Sequence, residues 1–235
     1  MSNHAARPAW PSTVTDLEER QRELAKVDVP GWQPNGAGIL GGVWFLGPTG
    51  SLGERGGERA WATAVSVRGG ETLSTAVVRG RTGAGYLPGS LALREGPLLE
   101  AAVEALATRP EVVLVNATGR DHPLGAGLAL HLGAVCSLPT IGVTDRPLVA
   151  AALGEPGPER GDRVSLVREG VVVGAVVRTR RGARPVVVHP GWRTDVTVAV
   201  GLVLASASAA RTPEPLRRAR TVARLARAHD EGRLR

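Results

Sequence analysis

Short apolar and alternating runs recur along the chain and predict the strands of a sheet. The runs are rich in valine, isoleucine and threonine and are bounded by glycine, proline or charged turn residues, as strands usually are. The sequence Arg68-Gly69-Gly70-Glu71 separates two such runs as a hairpin turn would. The predicted strands cover 39–46, 60–67, 72–78, 112–115, 140–143, 164–167, 171–178 and 185–188.

The remaining stretches carry apolar residues three and four positions apart, which predicts helices. Ser12 or Thr13 provides an N-cap for a helix through Val27. Four later helices are predicted at 91–107, 125–135, 195–210 and 213–228. Three antiparallel strands followed by parallel strands that alternate with helices predict an α/β mixed sheet flanked by helices. The sequence Arg168-Glu169-Gly170 predicts a hairpin between the strands at 164–167 and 171–178.

Length and composition favour one domain that covers residues 1–235, with tails at 1–11 and 229–235. A chain of 235 residues with 43% hydrophobic content can bury a sizeable core. No apolar run reaches the roughly 18–20 residues of a membrane span, and no apolar signal core begins the chain, so we expect a cytoplasmic protein without a membrane partner. The single cysteine, Cys136, excludes an intrachain disulfide.

The charge balance predicts attraction to an acidic partner. The formal net charge is +7 and the sequence pI is about 11.1. Nucleic acid, an acidic carrier protein or a small anionic substrate would each satisfy this balance. Lys26 is the only lysine, and the arginines crowd the last predicted helix, where a solvated face is an equally good interpretation: Arg217, Arg218, Arg220, Arg224 and Arg227.

The most specific stretch runs from Tyr86 to Pro97, where a Tyr-Leu-Pro-Gly turn leads into an apolar helix that carries Glu95. It resembles the Y-x-P-G-x-L-x-F-R-E signature of the endonuclease V family, whose members nick nucleic acid beside a deaminated purine. Further motifs match in family order over 41–211. They are Leu114-Val115-Asn116, Gly119-Arg120-Asp121-His122-Pro123, Pro139-Thr140-Ile141-Gly142-Val143, 174–180 and His189-Pro190-Gly191-Trp192-Arg193.

The resemblance implies a ribonuclease H-like fold and a Mg²⁺ site with three carboxylates, of which this chain keeps only Glu95. In this chain Trp44 stands at the position of the family's first-strand aspartate, and Asn116 stands at the position of its central-strand aspartate. No acidic residue lies between Gly31 and Leu52, so no shift of the alignment restores the first ligand. We therefore expect that the classical metal site is lost and that no cofactor is needed, with Mg²⁺ required only if nuclease chemistry survives.

Two further family positions are altered, and four residues are candidates for catalysis. Trp192 stands in place of a family histidine, and Asp145 stands in place of a lysine, where it would repel a phosphate. Acid–base chemistry without a metal would use carboxylates and imidazoles as proton carriers. The candidates are Glu95, His122, Asp145 and Asp121, each of which has an ordinary structural role as the alternative.

Aromatic and basic residues near the matched motifs are candidates for substrate binding. If the family fold holds, Trp44 and Trp192 face each other across the former metal site as walls of an aromatic pocket. The alternative is that the two indoles plug a dead cavity. The other candidates are Asn116, Tyr86 of the turn, Arg94, Arg120, Arg193 and His189.

Three functions are compatible with these residues. The first is a metal-independent enzyme that abstracts a proton from a small anionic substrate with loss of a phosphate- or sulfate-like group, with or without an acidic carrier protein. The second is a non-catalytic nucleic-acid-binding paralogue. The third is a divergent endonuclease V that cuts inosine-containing DNA or RNA. A homodimer or a heterodimer with a second family member fits each of them.

Overall fold

The computed structural model describes residues 9–29, 31–34, 36, 38–207 and 210–233, which form one sheet and five helices. The helices are α1 Val14–Lys26, α2 Leu91–Glu104, α3 Leu128–Cys136, α4 Val196–Ser206 and α5 Glu214–Asp230. The strands are β1 Leu40–Leu46, β2 Arg59–Arg68, β3 Glu71–Arg81, β4 Val112–Val115, β5 Thr140–Thr144, β6 Ala151–Ala152, β7 Arg163–Arg168, β8 Val171–Val177 and β9 Val186–Pro190.

The sheet has the strand order β3-β2-β1-β4-β5-β9-β8-β7-β6. β1, β4 and β5 are parallel, and the strands on both sides of this central group are antiparallel. The mixed sheet is therefore confirmed, and so is the hairpin of β7 and β8. The strands β6 to β9 are antiparallel to their neighbours, whereas parallel strands were predicted after the first three. The short connections of β6, β7, β8 and β9 allow hairpins and leave no room for parallel crossovers. The prediction also missed β6, a strand of two exposed residues with no pattern of its own.

Helices cover both faces of the sheet. α1, α2 and α3 lie on one face, where the core includes Val43 and Val115. α4 and α5 lie on the other, where the core includes Leu114 and Val188. Side chains alternate along β1, so Val43 faces α2 and α3 while Trp44 faces α5. This alternation decides the direction of the candidate site residues.

The ends of several elements differ from the sequence prediction. α3 begins three residues late because Gly125 has a φ of 74° and precedes the helix as a turn. α5 extends to Asp230, so the predicted tail from 229 begins inside a helix. Trp10 is not part of a free tail, since its ring stacks on His131 at 4.6 Å. Parts of the predicted tails, and part of the predicted helix at 195–210 beyond the end of α4, lie outside the described residues: 1–8, 208–209 and 234–235.

The closest contact between a helix and the sheet brings α5 against β1. A Cβ atom added to Gly42 would lie 2.3 Å from the backbone carbonyl carbon and oxygen of Pro215. Next to this contact, the Thr63 hydroxyl donates to the Ala219 carbonyl at 2.8 Å. The start of α5 is thus fixed on β1 and β2. None of the helices in the described ranges has the length and apolar character of a membrane span.

We predict opposite effects for two glycine-to-alanine substitutions. Gly42→Ala forces α5 away from β1 and should lower the free energy of unfolding by about 1–3 kcal/mol, as overpacking does. Gly201→Ala, in exposed α4 with open space around its Cβ position, should raise it by about 0.5–1 kcal/mol through helix propensity. Urea unfolding followed by circular dichroism measures both, and a neutral Gly42→Ala would contradict the close contact.

Candidate functional site

One cavity collects the three positions at which the resemblance places the family's metal ligands. Trp44 and Asn116 follow the last paired residues of the parallel strands β1 and β4, so they lie side by side at the same edge of the sheet. Glu95 reaches this edge from the second turn of α2. The three residues line a cavity of 240 Å³. The sequence alignment at these positions therefore corresponds to a real juxtaposition.

Glu95 is half-buried and provides the only carboxylate in the lining of this cavity. Burial raises the pKa of its carboxyl to about 7, and the neighbouring Arg94 charge offsets only part of that rise. Desolvation acts in this direction because it disfavours the charged form of an acid. Glu95 is thus divided between its neutral and charged forms near neutral pH.

Trp44 stands where the resemblance places the first metal ligand, and its ring is turned toward α5. The Arg220 guanidinium, which projects from α5, lies 5.6 Å from the centroid of the Trp44 ring. This distance is within the range of a cation–π interaction. The indole Nε1 of Trp44 is buried and has no hydrogen-bond partner among the described residues. The ring and its cation therefore lie on the α5 face of the sheet, whereas Glu95 reaches the cavity from α2.

The residues of this cavity do not fit a Mg²⁺ ion. Magnesium requires hard oxygen ligands and is usually held by carboxylates together with water and substrate phosphate. The cavity offers one carboxylate that is partly protonated near pH 7, a neutral amide and an indole. In the part of the chain that the structure describes, no group of three His, Cys, Asp or Glu side chains is placed to hold a metal.

A second cavity of 210 Å³ lies beside the Tyr86–Gly89 turn. Tyr86 and Leu87 at the tip of the turn are 56% and 50% exposed. The wall combines apolar surface with amide, hydroxyl and imidazole groups: Pro88, Gly89, Leu91, Asn116, Ala117, Thr118, His122, Leu128, Thr144 and Leu148. Because Asn116 lines both cavities, the two adjoin at the end of β4.

His122 supports the turn with both of its ring nitrogens. Nδ1 accepts a hydrogen bond from the Leu124 amide at 3.2 Å, which leaves Nε2 to donate to the Gly89 carbonyl at 3.0 Å. The buried Gln21 of α1 donates to the same carbonyl at 3.1 Å. Burial lowers the pKa of His122, so the ring is neutral. His122 thus positions Gly89, a role different from the predicted proton transfer.

Asp121 and His189 are buried below the second cavity. The Asp121 carboxylate accepts from the backbone amides of Leu148, Val149 and Ala150 at 2.7, 2.8 and 2.8 Å. His189 Nε2 lies 2.9 Å from the Thr144 hydroxyl, and its Nδ1 is 4.0 Å from Asp121. Burial lowers the pKa of His189 to about 4. Both side chains organise the loop after β5, and neither lines the first or the second cavity.

The predicted position of Trp192 is wrong. β9 runs antiparallel to β5, so the residues after β9 lie level with the start of β5, where the Thr140 amide donates to the Trp192 carbonyl. Thr140 pairs with Val113, three residues before Asn116. Trp192 is therefore at the opposite end of the strands, about 10 Å along the sheet from the cavity edge. Its ring packs against α1 and α3 and lines neither cavity.

Asp145 also differs from its predicted role. It follows β5 at the correct edge of the sheet, but its carboxylate is 68% exposed and lies 2.7 Å from the Arg211 guanidinium. The neighbouring Thr144 contributes to the second cavity, while Asp145 does not. The ion pair neutralises the carboxylate that was expected to repel a phosphate.

The three predicted anion-binding arginines bind parts of the protein. Arg94 is buried and donates to the carbonyls of Gly53 and Ala84 and to the Glu58 carboxylate, which fixes the β1–β2 loop. Arg120 donates to the Ala25 carbonyl at the end of α1. Arg193 has a φ of 57°, and its carbonyl accepts from the Trp32 amide. The side chains of Arg94 and Arg120 therefore have structural roles, and the backbone of Arg193 connects the segment after β9 to Trp32.

Two arginines of α5 have contacts that the sequence did not predict. Arg220 stacks on Trp44, and Arg227 lines a third cavity of 240 Å³ that also includes Glu95. The only signal was the spacing of the arginines by seven residues, which places them on one side of a helix. That spacing does not tell which strand the helix contacts.

We predict a pH-dependent gain in stability for Glu95→Gln. In the folded wild type the pKa of Glu95 is about 7, whereas the ordinary pKa of a glutamate is 4.5. Between these pH values the unfolded state binds fewer protons than the folded state, so the free energy of unfolding falls as the pH rises. Glutamine does not titrate and so removes this loss. The free energy of unfolding of the variant should exceed that of the wild type by roughly 1–3 kcal/mol at pH 8 and match it near pH 4. Thermal unfolding at both pH values tests this, with exposed Glu71→Gln as the control. An equal effect at both pH values would contradict it.

A second prediction separates two carboxylates that were both candidates for catalysis. Asp121→Asn replaces one accepting carboxylate oxygen by an NH₂ group, which faces backbone N–H donors and cannot accept from them. The substitution should lower the free energy of unfolding by about 2–4 kcal/mol. Asp145→Asn removes an exposed ion pair and should cost less than about 1 kcal/mol. Urea titration compares them. If a fully stable Asp145→Asn protein lost a demonstrated activity, Asp145 would again be a candidate for catalysis.

Comparison with known proteins agrees with this architecture. The family model described as Endonuclease V matches residues 50–221. The Endonuclease V of Gloeobacter violaceus is 34% identical over 225 residues, which cover 94% of this chain and 89% of that protein. The Endonuclease V of Methanopyrus kandleri is 43% identical over 174 residues, 74% and 75% of the two chains. Several other relatives match over less than two thirds of their own length.

Solved structures share the fold over almost the whole chain. The crystal structure of Endonuclease V from Streptomyces avermitilis has a TM-score of 0.83 and 32% identity, covering 95% of this chain and 96% of that one. At 19% identity and a TM-score of 0.74, the Ciona intestinalis Endonuclease V in complex with inosine-containing DNA shares the fold, covering 92% of this chain and 98% of that one. This protein belongs to the endonuclease V family.

Proposed function

We propose that this protein is a nucleic-acid-binding member of the family that does not cut through a metal held by carboxylates. The observation that carries the proposal is a contrast between two adjoining cavities. The one beside the Tyr86–Gly89 turn has walls suited to a nucleobase, while the one at Glu95 has a donor set unsuited to Mg²⁺. Binding and cleavage thus separate in this chain.

The turn and its cavity support nucleobase binding. The exposed Tyr86 and Leu87 offer an aromatic ring and an apolar tip, and base–aromatic stacking contributes about 1–3 kcal/mol per base. Asn116, Thr118 and Thr144 bring amide and hydroxyl groups to an otherwise apolar pocket. Such groups can hydrogen-bond the edge of a base taken out of a stack. The Ciona intestinalis relative in complex with inosine-containing DNA makes this ligand class the natural first test.

The charge of the chain supports contact with phosphates. A net charge of +7 favours a polyanion, and binding dominated by phosphate neutralisation weakens steeply as salt rises. The single carboxylate of the Glu95 cavity is partly protonated near neutral pH, which limits repulsion of a nearby phosphate.

We predict that the wild type binds a labelled oligonucleotide in the presence of EDTA, with an affinity that falls with NaCl. Fluorescence anisotropy on matched oligonucleotides with and without inosine measures this. Tyr86→Ala should weaken binding about tenfold, because the exposed ring supplies stacking, with little effect on stability. Leu153→Ala removes an equally exposed apolar side chain after β6, beside the far edge strand of the sheet, and should leave affinity unchanged.

The same samples test cleavage. Incubation with Mg²⁺ or Mn²⁺ should yield no nicked product above the EDTA control. Metal-dependent nicking that disappears in Glu95→Gln would show a divergent endonuclease V and overturn the claim that cleavage is lost. Absence of binding at low salt would overturn the nucleic-acid assignment.

A second candidate function is favoured by the raised pKa of Glu95. A carboxylate with a pKa of about 7 in a partly closed cavity suits general acid–base catalysis without a metal. With a small anionic substrate, Glu95 would take a proton from carbon, the C–H electron pair would form a C=C bond, and the adjacent C–O bond would break with its pair leaving on phosphate or sulfate. The net charge favours delivery of such a substrate by an acidic carrier protein, alone or with a second family subunit.

A reaction rate that rises with pH through about 7 and is lost in Glu95→Gln would establish this acid–base function. A rate that is unaffected by Glu95→Gln would exclude it.

A further inference from the structure

The loop between β1 and β2, residues 47–58, lies against the turn that carries Tyr86. The Tyr86 amide donates to the Gly53 carbonyl at 2.5 Å. A Cβ atom added to Gly85 would lie 2.4 Å from the Glu54 carbonyl oxygen. The two segments thus meet backbone to backbone, and the direction in which Tyr86 projects depends on the position of the loop.

The second half of the loop is fixed to α2. The buried Arg94 guanidinium donates to the Gly53 carbonyl at 3.0 Å and to the Glu58 carboxylate at 3.1 Å. The Ser51 hydroxyl donates to the same carboxylate at 2.6 Å and accepts from the Gly53 amide at 2.9 Å. The start of the loop, at 47–50, has its contacts with α5 instead.

These contacts come from the C-terminal end of α5. The Glu231 carboxylate, directly after the helix, accepts from the Thr49 amide at 3.1 Å and from the Thr49 hydroxyl at 2.8 Å. The hydrogen bonds from Thr49 keep the pKa of Glu231 below its usual range, so the carboxylate is charged at neutral pH. Arg233 donates to the same hydroxyl at 2.6 Å. Arg227 adds a hydrogen bond to the Gly47 carbonyl at 3.0 Å.

The loop has little means of ordering itself. Five of its twelve residues are glycine, and Gly50, Gly53 and Gly57 have φ values of 76°, 75° and 77°. Glycine loses more backbone freedom on ordering than any other residue, so such a loop is costly to fix in one conformation. The Leu52 side chain is 82% exposed and contributes little packing. The order of the loop therefore depends on hydrogen bonds from its neighbours.

We propose that Glu231 is a positioning residue for nucleic-acid binding: it holds Thr49 and thereby fixes the loop against which Tyr86 is oriented. A segment preorganised in its binding conformation increases affinity because less freedom is lost when the ligand binds. Glu231 lies after residues 50–221, which match the family model, so the resemblance does not imply this contact. The inference rests on the proposed function for the identity of the ligand that Tyr86 contacts.

A fluorine label reports the surroundings of Tyr86 without any ligand. Tyr86 is the only tyrosine, so protein made with fluorotyrosine has a single fluorine NMR resonance. Glu231→Ala should shift and broaden this resonance, because the loop beside the ring is released. Glu231→Gln should stay close to the wild type. Its amide oxygen still accepts from the Thr49 amide, and its NH₂ group can donate to the Thr49 hydroxyl.

Arg79→Gln is the matched control for the fluorine measurement. Arg79 of β3 pairs with Asp230 at 2.6 Å, so it holds the same end of α5 to the sheet instead of to the loop. Its substitution should leave the fluorine resonance unchanged. Thermal unfolding of each variant is recorded in parallel, which separates an effect on Tyr86 from a general loss of stability.

Oligonucleotide affinity is then measured by anisotropy in EDTA. Glu231→Ala should bind about three- to tenfold more weakly. Removal of a negative charge would by itself favour a polyanion, so Glu71→Ala, which removes the same charge at an exposed position of β3, should not weaken binding. In a Tyr86→Ala background the effect of Glu231→Ala should fall below about twofold, because the side chain that it positions is absent.

The two measurements separate the inference from the proposed function. An unchanged fluorine resonance in Glu231→Ala, or equal losses of affinity with and without the Tyr86 side chain, would overturn the inference and leave nucleic-acid binding intact. A resonance that shifts in Glu231→Ala, with a wild type that binds no oligonucleotide, would support the positioning of Tyr86 and overturn the nucleic-acid function. An unchanged resonance and no binding would overturn both.

Discussion

The contact between α5 and β1 is the constraint on which the candidate site depends. Gly42 leaves no space for a side chain beneath Pro215, so the helix axis lies directly on the strand. A helix fixed at this point runs along β1 toward its end over the following three turns. Arg220 consequently meets Trp44, and Arg227 meets Gly47. The position of Arg227, which lines a cavity together with Glu95, thus follows from a packing contact about three helical turns away.

The cavity at Glu95 carries little of the negative charge that a metal site needs. A set of three carboxylates, as the resemblance implies, repels itself and requires a cation. In this cavity the described residues provide a single carboxylate, and desolvation shifts it toward the neutral form. The Trp44 ring and Arg220 add no oxygen ligand, and they pack together on the α5 face of the sheet. The cavity is therefore poorly suited to a metal ion held by carboxylates.

The turn at Tyr86–Gly89 has a separate source of support. Its last carbonyl accepts from His122 and from Gln21, two residues of different elements on the α1–α3 side of the sheet. Asp121, next to His122, fixes the loop that closes the far side of the same cavity. None of these contacts involves Trp44, Arg220 or the metal position. The support of the turn is thus independent of Trp44 and Glu95, although Asn116 lines both the cavity of the turn and the cavity at Glu95.

Sequence patterns alone determined the order of the elements and the presence of Glu95 at the start of a helix, and the resemblance implied that Trp44 and Asn116 stand at two metal-ligand positions. Valine-rich runs and helical spacing are local properties, and they predicted nearly every strand and helix. Strand direction was decided only in the tertiary structure: β9 runs antiparallel to β5, which moves Trp192 to the opposite end of the sheet. Spacing also could not show that Asp145 pairs with Arg211, or that Arg220 reaches Trp44 across 176 residues of sequence. Such contacts depend on which faces pack together. The periodicity of a sequence shows which residues share a face of a helix or strand, but it does not show which element packs against that face.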